Sequence, residues 1–279
     1  MTTAVAVVNL ILGVAYCGYG VMTVLELRRD RHSFGFSHFG LAWICMAFTC
    51  GPHHLAHGIH LAVEGRQSGA LDLVAVAIGL PVGVLWLAMR IEAFRGGRGD
   101  RFLPGTPSWL RVVPFVALAY LAALAYGAFA VLNGSIVLAT RPDHALAANA
   151  MLVVIYMAIG WFVLRTQLAN RPSLGGWSVS GLCLAAIFPT CALMHAVFAV
   201  YAISGRYHHD LHGMVIDWLS VPAGLYFLWV VRRLYQDALS DWNTGPAEVD
   251  SPGYFGQLPV DSAVTGPHSE VEPSVHQHA

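Results

Sequence analysis

Residues 38–63, HFGLAWICMAFTCGPHHLAHGIHLAV, decide the reading of this chain. The stretch has no Lys, Arg, Asp or Glu and is long enough to cross a hydrocarbon core of about 30 Å. It also carries five histidines, four of them (His53, His54, His57 and His60) in its second half, and imidazole is costly to bury in lipid without a partner. At about 100° per residue, Thr49, His53, His57, His60 and Glu64 fall within ~80° of one another. That makes one polar stripe on an apolar helix, which has to face a bundle interior. His54 lies ~100° off the stripe and is the weaker ligand candidate. Pro52 removes a backbone hydrogen bond just below the cluster and is expected to kink the helix there.

The same pattern returns near the other end of the chain. His53-His54-x-x-His57 is matched by His208-His209-x-x-His212, at the start of another apolar segment. Residues four apart share a helix face, so each motif aims two or three ring nitrogens in one direction. Imidazole is the commonest transition-metal ligand, and two such clusters in one membrane protein point to a metal site.

Composition agrees with the membrane reading. Of 279 residues, 56% are hydrophobic and 11% charged, where a soluble domain carries about 25% charged residues. The mean hydropathy is +0.59. Apolar runs place seven spans at about Ala4–Leu25, His38–Val63, Gly69–Ile91, Val112–Asn133, Ala145–Arg165, Trp177–Ser204 and Gly213–Val231. The expected fold is therefore all-α, a seven-helix transmembrane bundle over residues 1–236, integral to the cell membrane. The first span is too long, and lacks the basic leader, for a cleaved signal peptide. Residues 237–279 turn to Asp, Glu, Pro, Ser, Gly and His, and read as a disordered cytoplasmic tail.

Charge orients the bundle. Lysine is absent and all 15 basic residues are arginine, which excludes a retinal pigment needing a lysine Schiff base. Arg28, Arg29, Arg31, Arg90, Arg95, Arg98, Arg101, Arg111, Arg165, Arg171, Arg232 and Arg233 flank one side. Arg66, Arg141 and Arg206 flank the other. By the positive-inside bias the amino terminus is outside and the carboxyl terminus cytoplasmic. Nine histidines then gather at the outer side, with His144 heading span five. His32, His38, His268, His276 and His278 read as solvated polar residues. The net charge of -1 and the lack of a basic patch give no reason to expect nucleic acid. Membrane lipids and a metal ion are the expected partners. The five cysteines are scattered through apolar segments, which is no disulfide framework.

Depth sorts the ligands. With about 1.5 Å of rise per residue, His53 lies roughly 10 Å deeper than His60, so one metal cannot take the whole stripe. A shallow set would hold His57, His60, His208 and His212; a deeper set would hold His53, His195 and Asp217. Histidine-rich, oxygen-poor surroundings suit zinc, copper, iron or nickel over magnesium or calcium.

The order Thr49-x-x-x-His53, Glu64 further along, then His208-x-x-x-His212 at the last span resembles the superfamily of alkaline ceramidases and progestin and adipoQ receptors. That resemblance implies seven spans and a zinc held by His53, His208 and His212, with Thr49 and Glu64 at the family's serine and aspartate positions. Thr for Ser, Glu for Asp and the extra histidines depart from its pattern. One function compatible with the residues is zinc-dependent hydrolysis of a lipid amide or ester, with Glu64 or Asp217 moving the proton of a metal-bound water. Two other functions are compatible with the residues. One is a copper or zinc binding, transport or delivery protein, with Cys50, Cys191, Met194 and Met214 as softer donors. The other is a membrane di-iron oxygenase, which the reversed motif order and the outer location of the cluster disfavour.

Overall fold

The computed structural model describes residues 1–34, 37–63, 68–133, 144–203 and 211–243. Seven α-helices carry the fold: α1 Thr2–Phe34, α2 His38–Val63, α3 Ala70–Phe94, α4 Val113–Leu132, α5 His144–Asn170, α6 Val179–Ile203 and α7 Leu211–Asn243. Each expected span coincides with one of them. Five are long and apolar enough, by length and composition, to cross a membrane: those containing Thr2–Arg29, Asp72–Phe94, His144–Asn170, Val179–Ile203 and Met214–Leu239. α7 continues to Asn243.

Six helices close a ring. α1 packs on α2, α2 on α7, α7 on α5, α5 on α6, α6 on α3, and α3 returns to α1. The polar and apolar residues are partitioned as a bilayer demands. Val14, Val154, Trp161 and Leu219 are more than half exposed, whereas Asn9, Asn149 and Asp217 are fully buried. In water that arrangement would be inside out; in lipid the polar groups satisfy one another in the interior.

Small residues let the helices approach. A side-chain carbon added at Gly51 of α2 would lie 2.6 Å from Cys17 Sγ and 2.9 Å from the Cys17 backbone nitrogen of α1. One at Gly13 would meet the Leu55 backbone nitrogen at 2.8 Å. Glycines at such crossings are how membrane helices gain van der Waals contact where no hydrophobic force drives them together. The α1–α2 crossing brings Asn9 opposite His54. Pro52 sits within α2 without ending it, and Pro81, Pro189 and Pro222 do the same in α3, α6 and α7.

At the arginine-rich end the all-helical expectation is amended by two short strands. β1 (Phe102–Leu103) pairs antiparallel with β2 (Trp177–Ser178). Asp100 fixes this corner by accepting hydrogen bonds from Ser178 Oγ at 2.6 Å and from the Ser180 amide at 2.9 Å, at the start of α6. Nearby, Arg101 pairs with Glu92 at 3.0 Å, and Arg90 pairs with Glu26 across α3 and α1. Toward the middle of the bundle, Trp43 and Trp86 meet edge to face at 4.6 Å, between Tyr19 and Phe227.

Candidate metal centre

Four helices of the ring send one polar residue each to a common point. α2 contributes His53, α5 Asn149, α6 His195 and α7 Asp217, and every one is buried. Each sits in the half of its helix nearer the histidine-rich end, so antiparallel neighbours bring them to one level. His53, His195 and Asp217 offer one donor atom each, all within 4.8 Å of one another. Ligands around a tetrahedral zinc at about 2.1 Å stand ~3.4 Å apart, so modest side-chain movement closes the set on an ion.

The carboxylate is the hub. Asp217 Oδ1 lies 3.0 Å from His53 Nδ1 and 3.9 Å from His195 Nδ1. This oxygen thus stands between the two imidazoles, within hydrogen-bonding distance of the His53 ring. Its companion Oδ2 accepts from Asn149 Nδ2 at 2.9 Å, and the same amide nitrogen also donates to Ala145 O at 2.9 Å. Those two donations fix which way Asn149 points. Its carbonyl oxygen then faces His195 Nδ1 at 2.7 Å and must accept a proton from it. His195 is thereby held in the tautomer with its lone pair on Nε2. An outer-sphere amide that orients a ring in this way is a recurrent device of metal-binding histidines.

Aromatic rings complete the walls. Phe198 stacks on His53 with centroids 5.3 Å apart and planes 9° from parallel, and Tyr156 meets His195 edge-on at 5.3 Å. The His53 and His195 rings stand at 81° to each other, 5.4 Å between centroids. Below this level Cys50 Sγ contacts Tyr156 Oη at 3.4 Å.

The remaining sequence candidates are placed differently. His57 lies one turn above His53 with its ring edge-on to Phe198 at 5.2 Å, and His60 is half-buried a further turn along. Thr49 turns its hydroxyl to its own helix, donating to Cys45 O and Met46 O at 3.0 Å each. Glu64 and His208 lie outside the described residues. His212 is the second residue of α7, and its side chain lies outside what is described. His144, the first residue of α5, is exposed.

Two asparagines were not picked out from the sequence. Asn149 is the one strongly polar residue in the long apolar body of α5, and Asn9 holds the same position in α1. A lone amide within a span is a functional signal in itself. What sequence could not supply was its partner. His54, off the stripe by helical projection, is nonetheless 3% exposed, and its Nδ1 meets Asn9 Oδ1 at 2.8 Å.

No family model, curated protein or solved structure is matched by this chain. Five of its helices are long and apolar enough for a membrane, and its buried His53, His195 and Asp217 form a cluster that could hold a metal ion.

Proposed function

We propose that this is a seven-span integral membrane protein, amino terminus outside and carboxyl terminus cytoplasmic, that holds a divalent transition-metal ion in its outer half and takes up, stores or hands on that ion. The observation that carries the reading is the fully enclosed cluster in which His53, His195 and Asp217 bring one donor atom each within 4.8 Å of one another. Two neutral imidazoles and one carboxylate suit zinc first, and admit copper or iron. A divalent ion held by the three would offset the charge of a fully buried carboxylate, with His195 binding through Nε2 because its Nδ1 proton is given to Asn149.

A zinc-dependent hydrolase of a lipid amide or ester is the second reading. Three protein ligands leave a fourth position on zinc for an activated water. The ceramidase-like pattern would instead put the ion on His53, His208 and His212. Metal handling is preferred on two positions. Asp217 is committed to the histidines as a ligand, and the Thr49 hydroxyl is committed to backbone carbonyls.

The test is elemental analysis of the full chain purified in detergent, followed by lipid-hydrolysis assays after reconstitution. About one zinc per chain, lost in His53→Ala and in Asp217→Asn, with no lipid turnover, is the expected result. Metal-free protein under metal-replete conditions would overturn the site. Metal-dependent release of a fatty acid would replace the handler with the hydrolase.

A further inference from the structure

A separate cavity lies between α1, α2, α3 and α6, walled by Leu12, Tyr16, His54, Gly79, Cys191 and Met194. It has room for about one water-sized body. Three of its walls are metal donors compatible with copper: an imidazole, and a thiol and a thioether of the soft class. Cys191 and Met194 are three residues apart on α6 and so share a face.

His54 is prepared for a ligand here. Asn9 Nδ2 donates to Val5 O at 2.9 Å, which leaves Asn9 Oδ1 turned to His54. The 2.8 Å contact is then an Nδ1–H donated to that oxygen, and Nε2 carries the lone pair. This Nε2 is buried and has no hydrogen-bond partner among the described residues. A buried acceptor left so costs about 1–3 kcal/mol unless something fills the place. The Tyr16 ring, edge-on to His54 at 5.3 Å, screens one side, and its hydroxyl approaches Cys191 Sγ at 3.8 Å.

We propose that His54, Cys191 and Met194 form a second, soft site that takes monovalent copper. Donor type selects the ion, since a thiolate with a thioether is the soft set that favours copper(I), whereas the imidazole–carboxylate set of the His53 cluster is harder. Copper(I) binds as the Cys191 thiol releases one proton to the buffer, so one positive charge enters as one leaves. The cavity stays neutral, with no redox change. This site shares no ligand with the His53 cluster and can be present whether or not that cluster binds metal.

The experiment is an anaerobic titration of the stripped, reduced full chain in detergent with copper(I), against bicinchoninate as competing chelator. X-ray absorption of the loaded protein is measured alongside. The expected result is one competing equivalent with both sulfur and nitrogen neighbours to copper. Cys191→Ser and Met194→Leu should each weaken it by roughly tenfold or more, at least what losing an outer-sphere partner costs. Met194→Leu conserves volume and keeps the test valid should His54→Ala fail to fold. Cobalt(II) binding at the His53 cluster should be unchanged in Met194→Leu. Copper that is outcompeted by the chelator, or retained equally by both variants, overturns the proposal and leaves the cavity to a water on His54 Nε2.

Discussion

Asn149 donates one amide proton to Asp217 and turns its carbonyl oxygen to His195 Nδ1, 2.7 Å away. One side chain therefore sets both the direction of the carboxylate and the tautomer of the imidazole. Asn149→Leu keeps the apolar environment while releasing both groups. Metal affinity should fall by about 10–100-fold, the usual effect of losing an orienting partner. A chelator-competition titration with zinc checks it, and an unchanged affinity would show that Asn149 plays no orienting part.

Asp217 separates metal binding from folding. Asp217→Asn keeps the volume and one acceptor oxygen, so the thermal unfolding midpoint in detergent should move little while bound metal is lost. Asp217→Ala also strips the Asn149 amide and the His53 ring of their partner. Each buried donor left unsatisfied costs about 1–3 kcal/mol, so this variant should unfold at clearly lower temperature. Equal stability of the two variants would remove the hub role given to the carboxylate.

The reading from sequence reached the helices and the clustering of His53, His195 and Asp217 for one physical reason. In a bilayer, polarity is so costly that each buried polar group stands out against its span, and helical rise alone puts His53, His195 and Asp217 at similar depth. It could not say which neighbour each helix face meets. His54 was set aside by its angle from the stripe, yet that angle is what turns it to α1 and Asn9. Thr49 shares the stripe's face but satisfies itself on its own helix, a choice that spacing does not reveal. The strand pair at Phe102 and Trp177 is too short for any periodicity to announce it.

The α1–α2 crossing depends on Gly51. A methyl there meets the Cys17 backbone nitrogen at 2.9 Å, and backbone cannot swing aside as a side chain can. Gly51→Ala should cost about 1–3 kcal/mol through overpacking and should lower the unfolding midpoint. Wild-type stability in that variant would mean that the two helices separate without penalty.

Asp100 offers the converse case, a structural residue remote from the His53 cluster. Asp100→Ala removes the acceptor for Ser178 Oγ and the Ser180 amide at the head of α6. The expected loss is about 0.5–2 kcal/mol, as for a helix amino-terminal cap, with metal stoichiometry unchanged. Loss of metal in this variant would tie the arginine-rich end to the site.

Along α2, His53 and His57 are consecutive on one face but unequal in setting. His53 is buried against Asp217, whereas His57 meets the same Phe198 ring edge-on one turn nearer the histidine-rich end and is only half-buried. His57→Ala should leave one metal per chain and change the rate at which the stripped protein reloads. His53→Ala should abolish the tight equivalent altogether. Stopped-flow loading with cobalt(II), read beside equilibrium stoichiometry, distinguishes the two effects. Loss of stoichiometry in His57→Ala would move the ion up the helix to the shallow set with His60, His208 and His212, and would favour the ceramidase-like ligand pattern.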